Sequence, residues 1–254
     1  MKTFHGALTG GAFTVTAELP WNDQFSITDY ARQASSLADH VDGIQLGENP
    51  PGQAEISPVA LAALLLREGI DLTPTLHCRD RNRIALQSEI LGLRAIGVTS
   101  LILGQGQEIH AAGRVPARPV FDVNDRELIA MAREIDENRL LIGMECLVPA
   151  TGSGWNVAAL LERSAAGARF LRLRPCFDLG VLRSHLAGLV DEKVTWHYSV
   201  IPSLVPREQG VDECAQMIRD VQSIPGVSGV NLVCRDDPGL LISSLQSSGI
   251  RSGA

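Results

Sequence analysis

An uninterrupted run of Lys and Arg, an apolar stretch long enough for a bilayer and a closely spaced cysteine pair are all missing from these 254 residues. Phosphate neutralisation needs clustered cations, so a chain with a formal charge of −7 is not read as a general nucleic-acid binder. A membrane span needs roughly 18 consecutive apolar residues, and the first residues, MKTFHGALTGGAF, show no basic segment followed by an apolar one. A cytoplasmic protein is the expectation. The five cysteines lack regular spacing and no H-E-x-x-H occurs, so Cys78, Cys146, Cys176 and Cys234 are expected to be packing thiols, with no metal held. Aromatic residues make up only 4%, yet 45% of the chain is hydrophobic, which at this length supports a sizeable aliphatic core.

What is present is a repeated rhythm of strand then helix, clearest from Pro74 to Gln107. A strand, Leu72 to Leu76, ends at His77 and Cys78, and the turn Arg79-Asp80-Arg81-Asn82 offers a carboxylate or amide to cap a helix. From Ile84 to Ile96 the apolar positions Ile84, Leu86, Ile90, Leu91, Leu93 and Ile96 predict one face packed on a sheet, and Gly97 stops the helix. The next strand, Ser100 to Leu103, is apolar as a covered parallel strand should be, and empties into Gly104-Gln105-Gly106-Gln107. Elsewhere strands are predicted over 13–19, 43–46, 140–146, 170–173, 194–200 and 229–234, each with a helix behind it. Residues 201–206 read as a loop around two prolines, and 108–123 as a long irregular segment, a candidate lid or binding loop.

Eight strand–helix pairs in a chain near the ~250 residues typical of the fold predict a single (β/α)8 TIM barrel spanning 1–254. An open doubly wound sheet would want G-x-G-x-x-G after its first strand; Glu18-Leu19-Pro20-Trp21 stands there instead. Barrel chemistry sits at the C-terminal strand ends, and the residues placed there are polar: Glu18, Glu48, His77, Gln107, Glu145, Arg172 with Arg174, His197 and Asp236 among them. Glu18 is the foremost, a carboxylate on an otherwise apolar strand: partly desolvated at the mouth it is in reach of general-acid work, and otherwise it is a rim residue or half of a barrel ion pair. Arg172 and Arg174 share a strand face, where they clamp an anion or pair with Asp178 or Glu162. Trp196, His197 and Tyr198 are expected to fill the barrel wall, and Gly104-Gln105-Gly106 is a turn with a weak phosphate-binding pattern.

The segment CRDRNRIALQSEILGLRAIGV, with its apolar strand and Gly-containing loop, resembles the methylenetetrahydrofolate reductase family. So do ENPPGQAEISPVALAALLLREGI, GARFLRLRPCFD and VIPSLVP, so the resemblance covers most of the chain. It implies FAD at the barrel mouth, NAD(P)H as hydride donor, a folate-type substrate and, since members are often oligomeric, a homo-oligomer. By the same resemblance Glu18 protonates the folate nitrogen and opens the five-membered ring to an iminium. Cofactor contacts are implied for His77, Gly104, Gln105, Gly106, Gln107, Asn156 and Arg163. Substrate contacts are implied for Glu18, Gln107, Arg174 and Phe177.

The chain departs from the family at the mouth: Gln107 stands for the family's Asp, Arg174 for a Gln and Asn156 for an Asp. One negative charge is lost and one positive gained, which suits an anionic reduced flavin or an anionic substrate group with no flavin at all. A pterin-dependent C1-transfer enzyme of the methyltransferase type and a non-catalytic folate-binding subunit stay open beside the reductase.

Overall fold

Alternation along each strand sends every second side chain inward and its neighbours out toward the helices. The outward set, including Val15, Ala17, Ile44, Leu46, Leu101, Leu103, Leu171, Leu173, Val230 and Leu232, is fully buried in one core between sheet and helices. The computed structural model describes residues 3–20, 26–48, 50–109, 117–136, 139–150, 153–176, 178–206, 210–234 and 237–250. Among these residues eight parallel strands, β1 (Thr14–Glu18), β2 (Gly43–Leu46), β3 (Leu72–His77), β4 (Ser100–Gly104), β5 (Leu141–Cys146), β6 (Phe170–Leu173), β7 (Ser199–Leu204) and β8 (Gly229–Val233), close in sequence order into a barrel. The closing register pairs Glu18 with Val233 on one side and Gln45 on the other. This is the (β/α)8 fold expected from the sequence.

The helices are α1 (Phe4–Thr9), α2 (Ile27–Ala38), α3 (Pro58–Leu65), α4 (Arg83–Ala95), α5 (Asp125–Asp136), α6 (Val157–Ala166), α7 (Leu179–Asp191), α8 (Val211–Gln222) and α9 (Pro238–Ser248). Their starts follow from local chemistry. Ser26 and Asp29 form a capping box on α2, Ser57 caps α3 with Pro58 at its first position, and Asn82 accepts from Ala85 N–H to cap α4. No helix of the described residues is long and apolar enough to cross a membrane.

The structure corrects five readings. On α4 only Leu86, Ile90 and Leu93 are buried; Ile84, Leu91 and Ile96 are exposed, because at 100° per residue Ile84 and Leu91 share the opposite face. The seventh strand is not 194–200. Residues Val194–Trp196 form a 3-10 turn, and the strand runs through Pro202 to Leu204, the prolines having been read as loop signals. Pro202 faces the helices and costs β7 one ladder donor while its φ stays strand-compatible. Trp196 therefore lies outside, 77% exposed under Lys193, rather than in the wall. His197 precedes β7, at the far end of the barrel from the mouth.

The fifth correction is α1, for which the sequence offers no predicted element. Its Phe4 packs edge-on against Phe170 with ring centroids 5.2 Å apart, and with Leu8, Ile102, Leu141 and Ile201 they form a separate apolar cluster at the base of the barrel. Gly143 makes this possible: a Cβ there would lie 2.2 Å from the Phe170 ring. Phe4 N–H donates to Asp71 at 2.8 Å, and burial pushes that carboxyl up. Of the expected lid, residues 110–116 lie outside the described residues. The part after it is tied down, with Val120 N–H donating to Arg79 O and Asp122 accepting from Arg83 N–H at the start of α4.

Candidate active site

At the C-terminal ends of the strands the barrel opens into a cavity of about 800 Å³. Glu18, His77, Gly104, Gln105, Gly106, Gln107, Asn156, Arg163 and Arg174, all singled out from sequence, line it. Phe177, Asn49, Arg235 and Asp236 lie outside the described residues.

The centre of the site is a guanidinium shared by two carboxylates. Arg172, from the middle of β6, donates through Nη1 to Glu18 Oε2 at 2.5 Å and through Nη2 to Glu145 Oε2 at 2.7 Å. Glu145 also faces Arg174 Nε at 3.2 Å and His77 Nε2 at 3.5 Å. Burial alone pushes the Glu145 carboxyl up, but Arg172, then His77 and Arg174, outweigh it and bring it down to about 2. The arginines thus pair with neither Asp178, which caps α7, nor the exposed Glu162.

Below this layer the barrel is polar. Gln45 Nε2 donates to Thr16 Oγ1, Thr16 donates to Asn231 Oδ1, and Asn231 Nδ2 donates to Glu18 Oε2 at 3.2 Å and to Ser203 Oγ at 3.1 Å. The Glu18 carboxylate only accepts, so the Asn231 N–H₂ faces it and the Asn231 oxygen faces the Thr16 hydroxyl. Sequence reading missed Thr16, Gln45, Ser203 and Asn231 and undervalued Glu145. The available signal was polarity at inward positions of otherwise apolar runs, as in GIQL and GVNLV.

The Gly104–Gln107 turn is shaped by its protein neighbours. Gly106 has φ +81°, and a Cβ there would come within 2.9 Å of Arg79 Cβ and 3.1 Å of His77 Cβ, so the glycine lets the turn lie against β3 rather than cradle a phosphate. Gln105 Oε1 accepts from Asp125 N–H and thereby caps α5, while Gln107 is exposed at the rim. Asn156 Oδ1 accepts from Ala159 N–H, capping α6.

These partners test the implied FAD. Each arginine lining the cavity already faces a carboxylate: Arg79 with Asp80, Arg163 with Asp125 at 2.9 Å, Arg172 with Glu18 and Glu145, Arg174 with Glu145. Arg163, the one cation among the implied cofactor contacts that carries a fixed charge, is also held by the carbonyl of Ala159. A diphosphate would have to displace Asp125 to reach it. The residues present do not fit the flavin diphosphate. The cysteines are no better suited to covalent chemistry, since burial pushes the Cys78 and Cys146 thiols up to about 12. Among the described residues no group of three or more His, Cys, Asp or Glu is placed to hold a metal ion.

No family model matches the sequence, and no curated protein matches it. Solved structures do. A tryptophan synthase alpha-subunit from Pyrococcus furiosus superposes with a TM-score of 0.61 at 12% identity, over 92% of this chain and 97% of that one. A tryptophan synthase from M. tuberculosis gives 0.61 at 12%, over 98% and 97%. A DHPS from Yersinia pestis, solved with a pterine-sulfa conjugate, gives 0.59 at 12%, over 94% and 91%. At this identity the likeness is one of fold.

Proposed function

We propose that the barrel mouth is the active site of a reductase that converts 5,10-methylenetetrahydrofolate to 5-methyltetrahydrofolate, taking hydride directly from NAD(P)H and a proton from Glu18. The observation that carries this reading is the placement of Glu18: it lines the cavity while its Oε2 accepts from both Arg172 and Asn231. The sequence resemblance supports the substrate class, and a pterin conjugate bound to a protein of this fold accords with it.

The chemistry follows from those contacts. A proton passes from Glu18 to a ring nitrogen of the folate, the bond from that nitrogen to the bridging carbon breaks, and the other nitrogen's lone pair forms the iminium. Arg172 and Asn231 hold the carboxylate that Glu18 becomes, and its negative charge faces the cationic iminium. Hydride from NAD(P)H then reaches the iminium carbon, leaving a methyl group and NAD(P)+. Glu145, fixed by Arg172, Arg174 and His77, holds Arg172 in place throughout.

The test is NAD(P)H oxidation by the purified protein with methylenetetrahydrofolate and no added FAD. Oxidation matched by 5-methyltetrahydrofolate formation is the expected result. Absence of oxidation with either nucleotide, even with FAD supplied, would overturn the reading; folate binding under those conditions would point to non-redox C1 transfer instead.

A further inference from the structure

We infer that Glu18 delivers its proton from Oε1 alone, through a gap that exists because residue 47 is glycine. This rests on the reductase reading above and names a residue that controls it.

The two oxygens of Glu18 are not equivalent. Oε2 accepts from Arg172 Nη1 and Asn231 Nδ2, while Asn231 Oδ1 accepts from Thr16. With two N–H donors on it, Oε2 has no place for a proton aimed at substrate. Oε1 has no hydrogen-bond partner among the described residues and is the oxygen nearest Gly47, at 3.6 Å from where a Cβ of that residue would sit. Gly47 follows the last residue of β2 and lines the same cavity. Any substrate nitrogen that receives the Glu18 proton must come within hydrogen-bond reach of Oε1. The space beside Gly47 is where it does so.

Gly47 is not demanded by the backbone, for its φ does not fall in the left-handed region, and an added methyl would meet Oε1 at ordinary van der Waals distance. Alanine should therefore fold normally there while filling the approach to the proton. Gly47 is a positioning residue: it touches no reacting atom and acts by leaving room.

The experiment compares wild type with Gly47→Ala for melting temperature, affinity for 5-methyltetrahydrofolate and kcat of NAD(P)H-dependent reduction. Expected are an unchanged melting temperature, product affinity altered by less than about threefold, and kcat lowered by about tenfold or more, the scale at which small misplacements of reacting atoms act. Wild-type kcat in Gly47→Ala overturns the inference and leaves the reductase reading standing. A wild-type protein with no turnover removes that reading first, and this inference with it.

Discussion

Glu18 and Arg172 meet at 2.5 Å across the barrel although 154 residues separate them in the chain. The contact converts a lone rim acid into one whose conjugate base is held before the reaction begins. Glu18→Gln keeps the contact sterically and removes the proton. It should lower reductase turnover on the order of a hundredfold or more while leaving folate affinity nearly unchanged, as steady-state kinetics and equilibrium binding will report. Full turnover in that variant would take Glu18 out of the mechanism.

Glu145 links Arg172, Arg174 and His77, and its carboxyl lies near 2 because those groups stabilise the charged form. The unfolded chain takes up that proton more readily than the native one, so the stabilisation is complete above its ordinary value of 4.5 and is lost as pH falls toward about 2. At neutral pH Glu145→Gln should cost on the order of 3 kcal/mol, since the buried Arg172 guanidinium loses one of its two carboxylate partners. Denaturant titrations across that window should show the gap between wild type and variant narrowing; a gap independent of pH would contradict the account.

Asp125 and Arg163 form the pair that stands in the way of a flavin diphosphate. Asp125→Asn frees the cation and should tighten FAD binding by about tenfold, the gain of one charge-assisted contact. Gln107→Asp adds a carboxylate at the rim without freeing Arg163 and should give no such gain. Fluorescence quenching of FAD distinguishes the two variants, and the reverse ranking would refute the explanation.

Phe4 is fully buried at the base of the barrel, far from the cavity. Phe4→Ala should destabilise the protein by about 3 kcal/mol through the space left under Phe170. Activity per folded molecule should persist at low temperature. Calorimetry beside kinetics separates the two effects; loss of kcat at full folding would show that the base is coupled to the mouth.

The architecture was legible in the sequence wherever period and punctuation agreed, as in Leu72 to Gly97 with its Asn82 cap. It failed where one signal overrode another. Pro202 looked like a loop and is mid-strand, and Val194–Trp196 looked like a strand by its β-branched and aromatic content but forms a turn. The residues that line the mouth were legible as strand ends. Their partnerships were not, because alternation says that Glu18, Glu145 and Arg172 all point inward without saying which of them meet; that depends on barrel closure and stagger, properties of the whole sheet. Asn231 and Thr16 were hidden for the same reason, and α1 because its six residues carry too little periodicity to declare a helix.

The plugged base has a kinetic consequence. With Phe4 and Phe170 sealing one end, the barrel is a blind well: whatever reaches Glu18 arrives and departs past the same rim. For direct hydride transfer the two reactants must be present together, so the one that lies deeper has to come first and go last. On the proposed reaction Glu18 gives its proton from inside that well, which makes the folate the leading reactant and its methylated product the last to leave. Product-inhibition patterns would reveal this queue as a compulsory order, and random addition would show that the rim is wide enough for the two to pass.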